Sequence, residues 1–122
     1  KRNSSVLLVT YGRIYDELYK AFILLNSEGI SCDILKLTKI FPLEKNMIIS
    51  VREYEKIIFF EEGIISGGIG EHFSKELLGF KGEYHVKGIS KFIKQSSVKS
   101  ALDKLGFDCD SMASYIREIM EE

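Results

Sequence analysis

Two rhythms of apolar residues run through this chain, one of strand length and one with helical spacing. Val6-Leu7-Leu8-Val9-Thr10-Tyr11 is a compact apolar run that ends at Gly12, which predicts a first strand. Ile14, Leu18, Ala21, Phe22 and Leu25 then recur every three or four residues. That spacing predicts a helix over roughly residues 13 to 27, stopped by Gly29. A second strand is expected from Ser31 to Leu37, with Cys32, Ile34 and Leu35 packing. Phe41-Pro42-Leu43 reads as a turn, because proline fixes its own φ and disfavours helix just before it. Met47, Ile48 and Val51 give the next helix its buried face. Ile57-Ile58-Phe59-Phe60 is apolar at every position. A strand with no polar alternation is covered on both faces, so this one is expected in the middle of a sheet. Glu83 to Lys87 reads as a fourth, partly alternating strand, after Gly79 and Gly82 close the preceding helix. Two short helices follow. Ser97 is the expected N-cap of the first, which carries Val98, Ala101, Leu102 and Leu105 and stops at Gly106. Asp110 is the expected cap of the second, with Met112, Tyr115, Ile116 and Ile119 along one side. Strands alternating with helices predict an α/β fold: a mostly parallel sheet with helices on both faces.

The chain is organised around the segment that follows the apolar run at 57–60. Glu61 and Glu62 are neighbours, so in an extended chain they point to opposite faces and at most one is sequestered. Gly67, Gly68 and Gly70 allow positive φ and close backbone approach, and residues 71–78 read as a helix. Strand, glycine loop and helix in that order is the unit from which open α/β sheets build sites at strand ends. The start of that helix offers free N–H groups and the positive end of its dipole. It can hold a phosphate, or it can hold the protein's own carboxylate. A dinucleotide fingerprint is not met, because Phe73 stands where close helix–strand packing needs Gly or Ala.

Composition narrows the function classes. At 122 residues the chain is expected to be one domain, 1–122, with an adequate core. Lys and Arg number 17 against 18 Asp and Glu, without blocks of one sign, so no nucleic-acid or membrane footprint is expected. No apolar run approaches a membrane span, and the polar start, Lys1 to Ser5, is not a signal-peptide core. Cys32 and Cys109 lie far apart without ligand partners, which reads as reduced thiols in a cytoplasmic protein; a disulfide stays the second reading. His72 sits near the loop and His85 in a strand of mixed pattern. Neither is clustered with Cys, Asp or Glu at metal-ligand spacing, so no metal site is expected. Glu61 and Glu62 are not a general acid–base pair while they face opposite ways. Lys36, Lys39, Lys87, Lys91 and Lys94 lie near strand-ending loops and read either as solvated surface or as a small anion-attracting rim.

The order of these motifs resembles a known family. Phe41-Pro42-Leu43-Glu44, then Phe60-Glu61-Glu62-Gly63 with Gly67-Gly68-Ile69-Gly70-Glu71, then Gly88-Ile89 with Phe92, then Leu102 to Asp108 through Leu105-Gly106-Phe107, is similar to the C-terminal domain of transketolase-like thiamine diphosphate enzymes. Transketolase and 1-deoxy-D-xylulose-5-phosphate synthase are the nearest in pattern. The resemblance implies a three-layer αβα sandwich around a five-stranded, mostly parallel mixed sheet with one antiparallel edge strand. It implies a fragment or split subunit of an enzyme that transfers two-carbon units, with thiamine diphosphate and a divalent metal held by other domains. This chain alone would carry no catalytic residue and be inactive. Its role would be packing in a homodimer and shaping the active-site entrance, with Glu61, Glu62, Gly67, Gly68, Gly70 and His72 as interface or loop candidates. In the synthase an arginine four residues before the Pro-Leu turn lends a phosphate contact. Thr38 stands there in this sequence, flanked by Lys36 and Lys39, so the phosphate contact is open among these three. Ser90 and Ser96 also depart from the family's usual Pro and Gly. The competing reading is a free-standing α/β module that binds a small anion at the Gly67–Gly70 loop.

Overall fold

A computed structural model describes residues 4–37, 45–64, 73–75, 77, 80–89 and 107–121. Their elements run in the order β1 (Val6–Thr10), α1 (Ile14–Ser27), β2 (Asp33–Lys36), α2 (Lys45–Val51), β3 (Lys56–Ile64), β4 (Glu83–Ile89) and α3 (Cys109–Met120). The described residues build a four-stranded sheet of order β2-β1-β3-β4, and every pair in it is parallel. The fifth, antiparallel edge strand that the family resemblance implies is not among them.

The apolar run at 57–60 occupies the interior position assigned to it. β3 lies between β1 and β4, and Ile57, Ile58, Phe59 and Phe60 are all fully buried. Successive side chains of a strand alternate between faces. Val6, Leu8, Ile58 and Phe60 therefore enter one core, with Ile14, Leu18, Ala21 and Leu25 of α1 and Met112, Ile116 and Ile119 of α3. Leu7, Val9, Ile57 and Phe59 enter the other, with Ile48 and Val51 of α2 and with Phe73 and Leu77. Two strands thus supply both cores, and helices cover both faces of the sheet.

The ends of the elements follow local chemistry. Gly29 takes a φ of 84°, the left-handed conformation that ends a helix without a Cβ clash. Its N–H donates to the Asn26 carbonyl (3.1 Å), and the Ile30 N–H donates to the Leu25 carbonyl (2.9 Å). This paired closure returns the chain towards β2. Gly82 answers a different need. A Cβ there would run into the backbone carbonyl of Glu55 and the Phe80 ring, at the point where the Glu83 N–H donates to Glu55 O (2.8 Å). The cap of α3 is Asp108, not Asp110; the Asp108 side chain accepts from the Ser111 N–H at 3.2 Å. The two aspartates compete for the same role, and Phe107, fully buried in the first core, fixes which one stands at the helix start. At the other end of α3, Lys56 Nζ donates to the Ile119 carbonyl (2.8 Å), a cation at a helix C-terminus. Arg117 grips the Glu28 carboxylate through Nε (3.0 Å) and Nη2 (2.8 Å), and the same carboxylate raises its guanidinium pKa further. The segment expected to be the helix capped by Ser97 lies outside the described residues. No helix among them is long and apolar enough to cross a membrane.

Both cysteines are free thiols, Cys32 buried and Cys109 half-buried. Burial beside Asp33 pushes the Cys32 thiol up to about 11, with a smaller opposing effect from Asn26. A thiol that stays protonated in the folded chain and ionises near its ordinary value in the unfolded chain favours unfolding as pH rises between those values. Below about pH 9 that contribution to stability is intact. Denaturant melts between pH 9 and 11 should show a loss of about 2 to 3 kcal/mol from this group, and Cys32→Ala should remove that part of the slope. Separately, Gly29→Ala should lower stability by about 1 to 2 kcal/mol in a urea titration, the cost of a left-handed conformation with a Cβ.

Candidate functional site

The strand order β2-β1-β3-β4 places the first two strands to one side and the later two to the other. Between β1 and β3 the chain changes direction of travel across the sheet. In open α/β sheets the crevice outside the carboxyl ends of such a strand pair is where sites form. Here β1 ends at Thr10-Tyr11, and its ladder with β3 ends at Phe60, just before Glu61.

Their chemistry is polar in a region that is otherwise dry. Thr10 is fully buried, and its hydroxyl donates to the Phe60 carbonyl at 2.7 Å. Its own carbonyl accepts from the Leu37 N–H at 2.8 Å, so one residue holds the ends of β2, β1 and β3 together. Glu61 is also fully buried. Its Oε2 accepts from the Tyr11 hydroxyl at 3.3 Å. Alternation explains the meeting: Leu7, Val9 and Tyr11 share one face of β1, and Ile57, Phe59 and Glu61 share that face of β3. Tyr11 also packs its ring on Phe59, 6.2 Å between centroids. Tyr84 lies on the same side of β4, stacked on Phe73 at 17° between ring planes. Burial, and then the charge of Glu61, drive the Tyr84 phenol well above its ordinary range, so it stays neutral.

A bulge in the ladder between β3 and β4 begins directly after Phe60. β3 and β4 pair in register from Lys56 opposite Glu83 to Phe60 opposite Lys87, and resume at Ile64 opposite Ile89. Four steps along β3, from 60 to 64, therefore match two along β4, from 87 to 89. Extra residues of this kind bend a strand and re-aim its side chains, often beside functional sites. Glu61, Glu62 and Gly63 of β3 stand against the single residue Gly88 of β4. Of the two glutamates, Glu61 is sequestered. Glu62 lies in β3, and its side chain is outside the described residues, as are Gly67, Gly68, Gly70 and His72.

Two lysines of the expected rim reach this end of the sheet. Lys36 ends β2, in register with Thr10, and its ammonium sits 4.9 Å from the centre of the Tyr15 ring. Lys87, in register with Phe60, has its ammonium 5.7 Å from the Phe107 ring centre and 5.3 Å from that of Tyr115. These are cation–π contacts on the α1 and α3 side of the sheet. Thr38, Lys39, Lys91 and Lys94 lie outside the described residues. His85 is bound to Glu83, with Nε2 3.1 Å from Oε1, away from the crevice.

The start of α3 is occupied by the protein itself. Glu17, almost fully buried on α1, accepts from the Cys109 N–H at 2.9 Å through Oε1 and pairs Oε2 with Lys20 at 2.8 Å. With Asp108, two carboxylates meet the free N–H groups of this helix. The start of the glycine-loop helix, for which the sequence offers a phosphate or the protein's own carboxylate, lies outside the described residues. Burial raises the Cys109 thiol, and the nearby acidic side chains Asp110 and Glu17 add to it, so it is a poor nucleophile. Sequence reasoning missed Tyr11, Thr10 and Glu17. The signal for Glu17 was present: it lies three residues after Ile14, on the stripe assigned to the core.

Among the described residues, no group of three or more His, Cys, Asp or Glu side chains is placed to hold a metal ion. On one face of the sheet stands a buried carboxylate that accepts from a phenol, and on the other face two ammonium groups are seated on aromatic rings. That suits packing and positioning more than proton transfer.

Comparison with known proteins gives this geometry a family. The model of the transketolase C-terminal domain matches residues 1–112. The chain is 28% identical to 1-deoxy-D-xylulose-5-phosphate synthase of Helicobacter hepaticus, across 97% of this chain and 20% of that protein. It is equally 28% identical to the synthase of Heliobacterium modesticaldum, across 99% of this chain and 19% of that one. It therefore spans about a fifth of the length of these curated relatives. Among solved structures it shares its fold with a split-gene transketolase described as an inactive β4 tetramer, at a TM-score of 0.83 and 18% identity over 97% of this chain and 40% of that one. A transketolase of Pichia stipitis superposes at a TM-score of 0.71 and 15% identity, over 97% of this chain and 16% of that one. With the family model matched along most of its length, the chain belongs to the transketolase C-terminal domain family.

Proposed function

We propose that this chain serves a thiamine-diphosphate-dependent enzyme that transfers two-carbon units, of the transketolase or 1-deoxy-D-xylulose-5-phosphate synthase type, as its C-terminal domain. One observation carries this reading: nearly all of the chain aligns with the synthases, and only about a fifth of each synthase aligns with the chain. The rest of such an enzyme holds the cofactor. The described donor set here does not fit the divalent metal that would anchor a diphosphate. No chemical step is routed through these residues. Residues 1–122 act as one domain of the larger assembly, which is a cytoplasmic homodimer, and its sheet is completed by a fifth, antiparallel edge strand.

The domain's own work is structural. Glu61 and Tyr11 fix the floor of the crevice between β1 and β3. Glu62, Gly67, Gly68, Gly70 and His72 face neighbouring domains, pack in the dimer and shape the entrance to the active site. A phosphate of the substrate draws on Lys36, Thr38 or Lys39. In support, Lys36 is exposed and already held by Tyr15 at the crevice end of the sheet. The second reading, a free-standing module that takes a small anion at the Gly67–Gly70 loop, draws on the same glycine pattern.

Two experiments test the proposal. The purified chain, given thiamine diphosphate, Mg²⁺ and pyruvate with a triose phosphate, or a ketose phosphate with an aldose phosphate, should show only background turnover. Measurable turnover after rigorous purification would refute the structural role. Titration with inorganic phosphate, followed by calorimetry, should give no tight binding; tight binding would favour the second reading. The positioning role of the phenol is tested by Tyr11→Phe. Loss of a donor to a buried carboxylate should lower stability by about 1 to 3 kcal/mol in denaturant titrations, with the circular dichroism spectrum unchanged.

A further inference from the structure

We draw no further inference here: the strongest candidate, the apolar face that Tyr19 and Ile23 of α1 form beside the groove along β2, is an unpartnered surface, and nothing in the structure shows what covers it.

Discussion

A strand buried on both faces imposes a strict condition, because every one of its side chains must find a dry neighbour on one side or the other. β1 and β3 both meet it. Val6, Leu8, Ile58 and Phe60 fill one core and Leu7, Val9, Ile57 and Phe59 the other, all of them buried. A slip of one residue in either strand would send each set into the opposite core. The pairing of β1 with β3 is therefore strongly specified, and α1, α3 and α2 take their places against it. Burial of side chains of this size stabilises by about 1.5 to 3 kcal/mol each, which makes these strands the centre of the fold.

The same alternation reaches beyond the apolar run and builds the crevice. Tyr11 and Glu61 are the next residues on their strands after Val9 and Phe59 on one face. They meet because the hydrophobic register has already aligned them. The bulge after Phe60 then interrupts the ladder with β4 at the acidic pair, and pairing resumes at Ile64 opposite Ile89. Packing thus decides the geometry, and the polar groups inherit it. A hydroxyl, a phenol and a carboxylate placed in this way are held as firmly as the core that places them.

Much of this could be read in the sequence, for identifiable reasons. Ile57 to Phe60 lacks any polar alternation, and only an interior strand tolerates that. Gly29 follows a helical stripe at the point where a left-handed turn is needed. Ile14, Leu18 and Leu25 carry a period that admits one interpretation. The order of short motifs, from Pro42 to Asp108, was specific in combination where each alone was weak. What stayed hidden depends on tertiary pairing. Nothing local to Tyr11 announces a glutamate fifty residues away, and Thr10 becomes a link between three strands only once β1 stands between β2 and β3. Asp108 and Asp110 are equivalent as caps until Phe107 is anchored. Glu17 falls on an otherwise apolar stripe, and that place already required a partner indoors.

Glu17 also limits what the α3 terminus can recruit. Its carboxylate is tethered to α1 and faces the Cys109 N–H, with Asp108 beside it on Ser111. A group held by its own backbone acts at an effective concentration on the order of millimolar or above. A free anion arriving from solution would have to evict an incumbent that never diffuses away, and would find the dipole of that helix already neutralised. The end of α3 is in this sense a filled socket, and its charge is spent on joining two helices of one molecule.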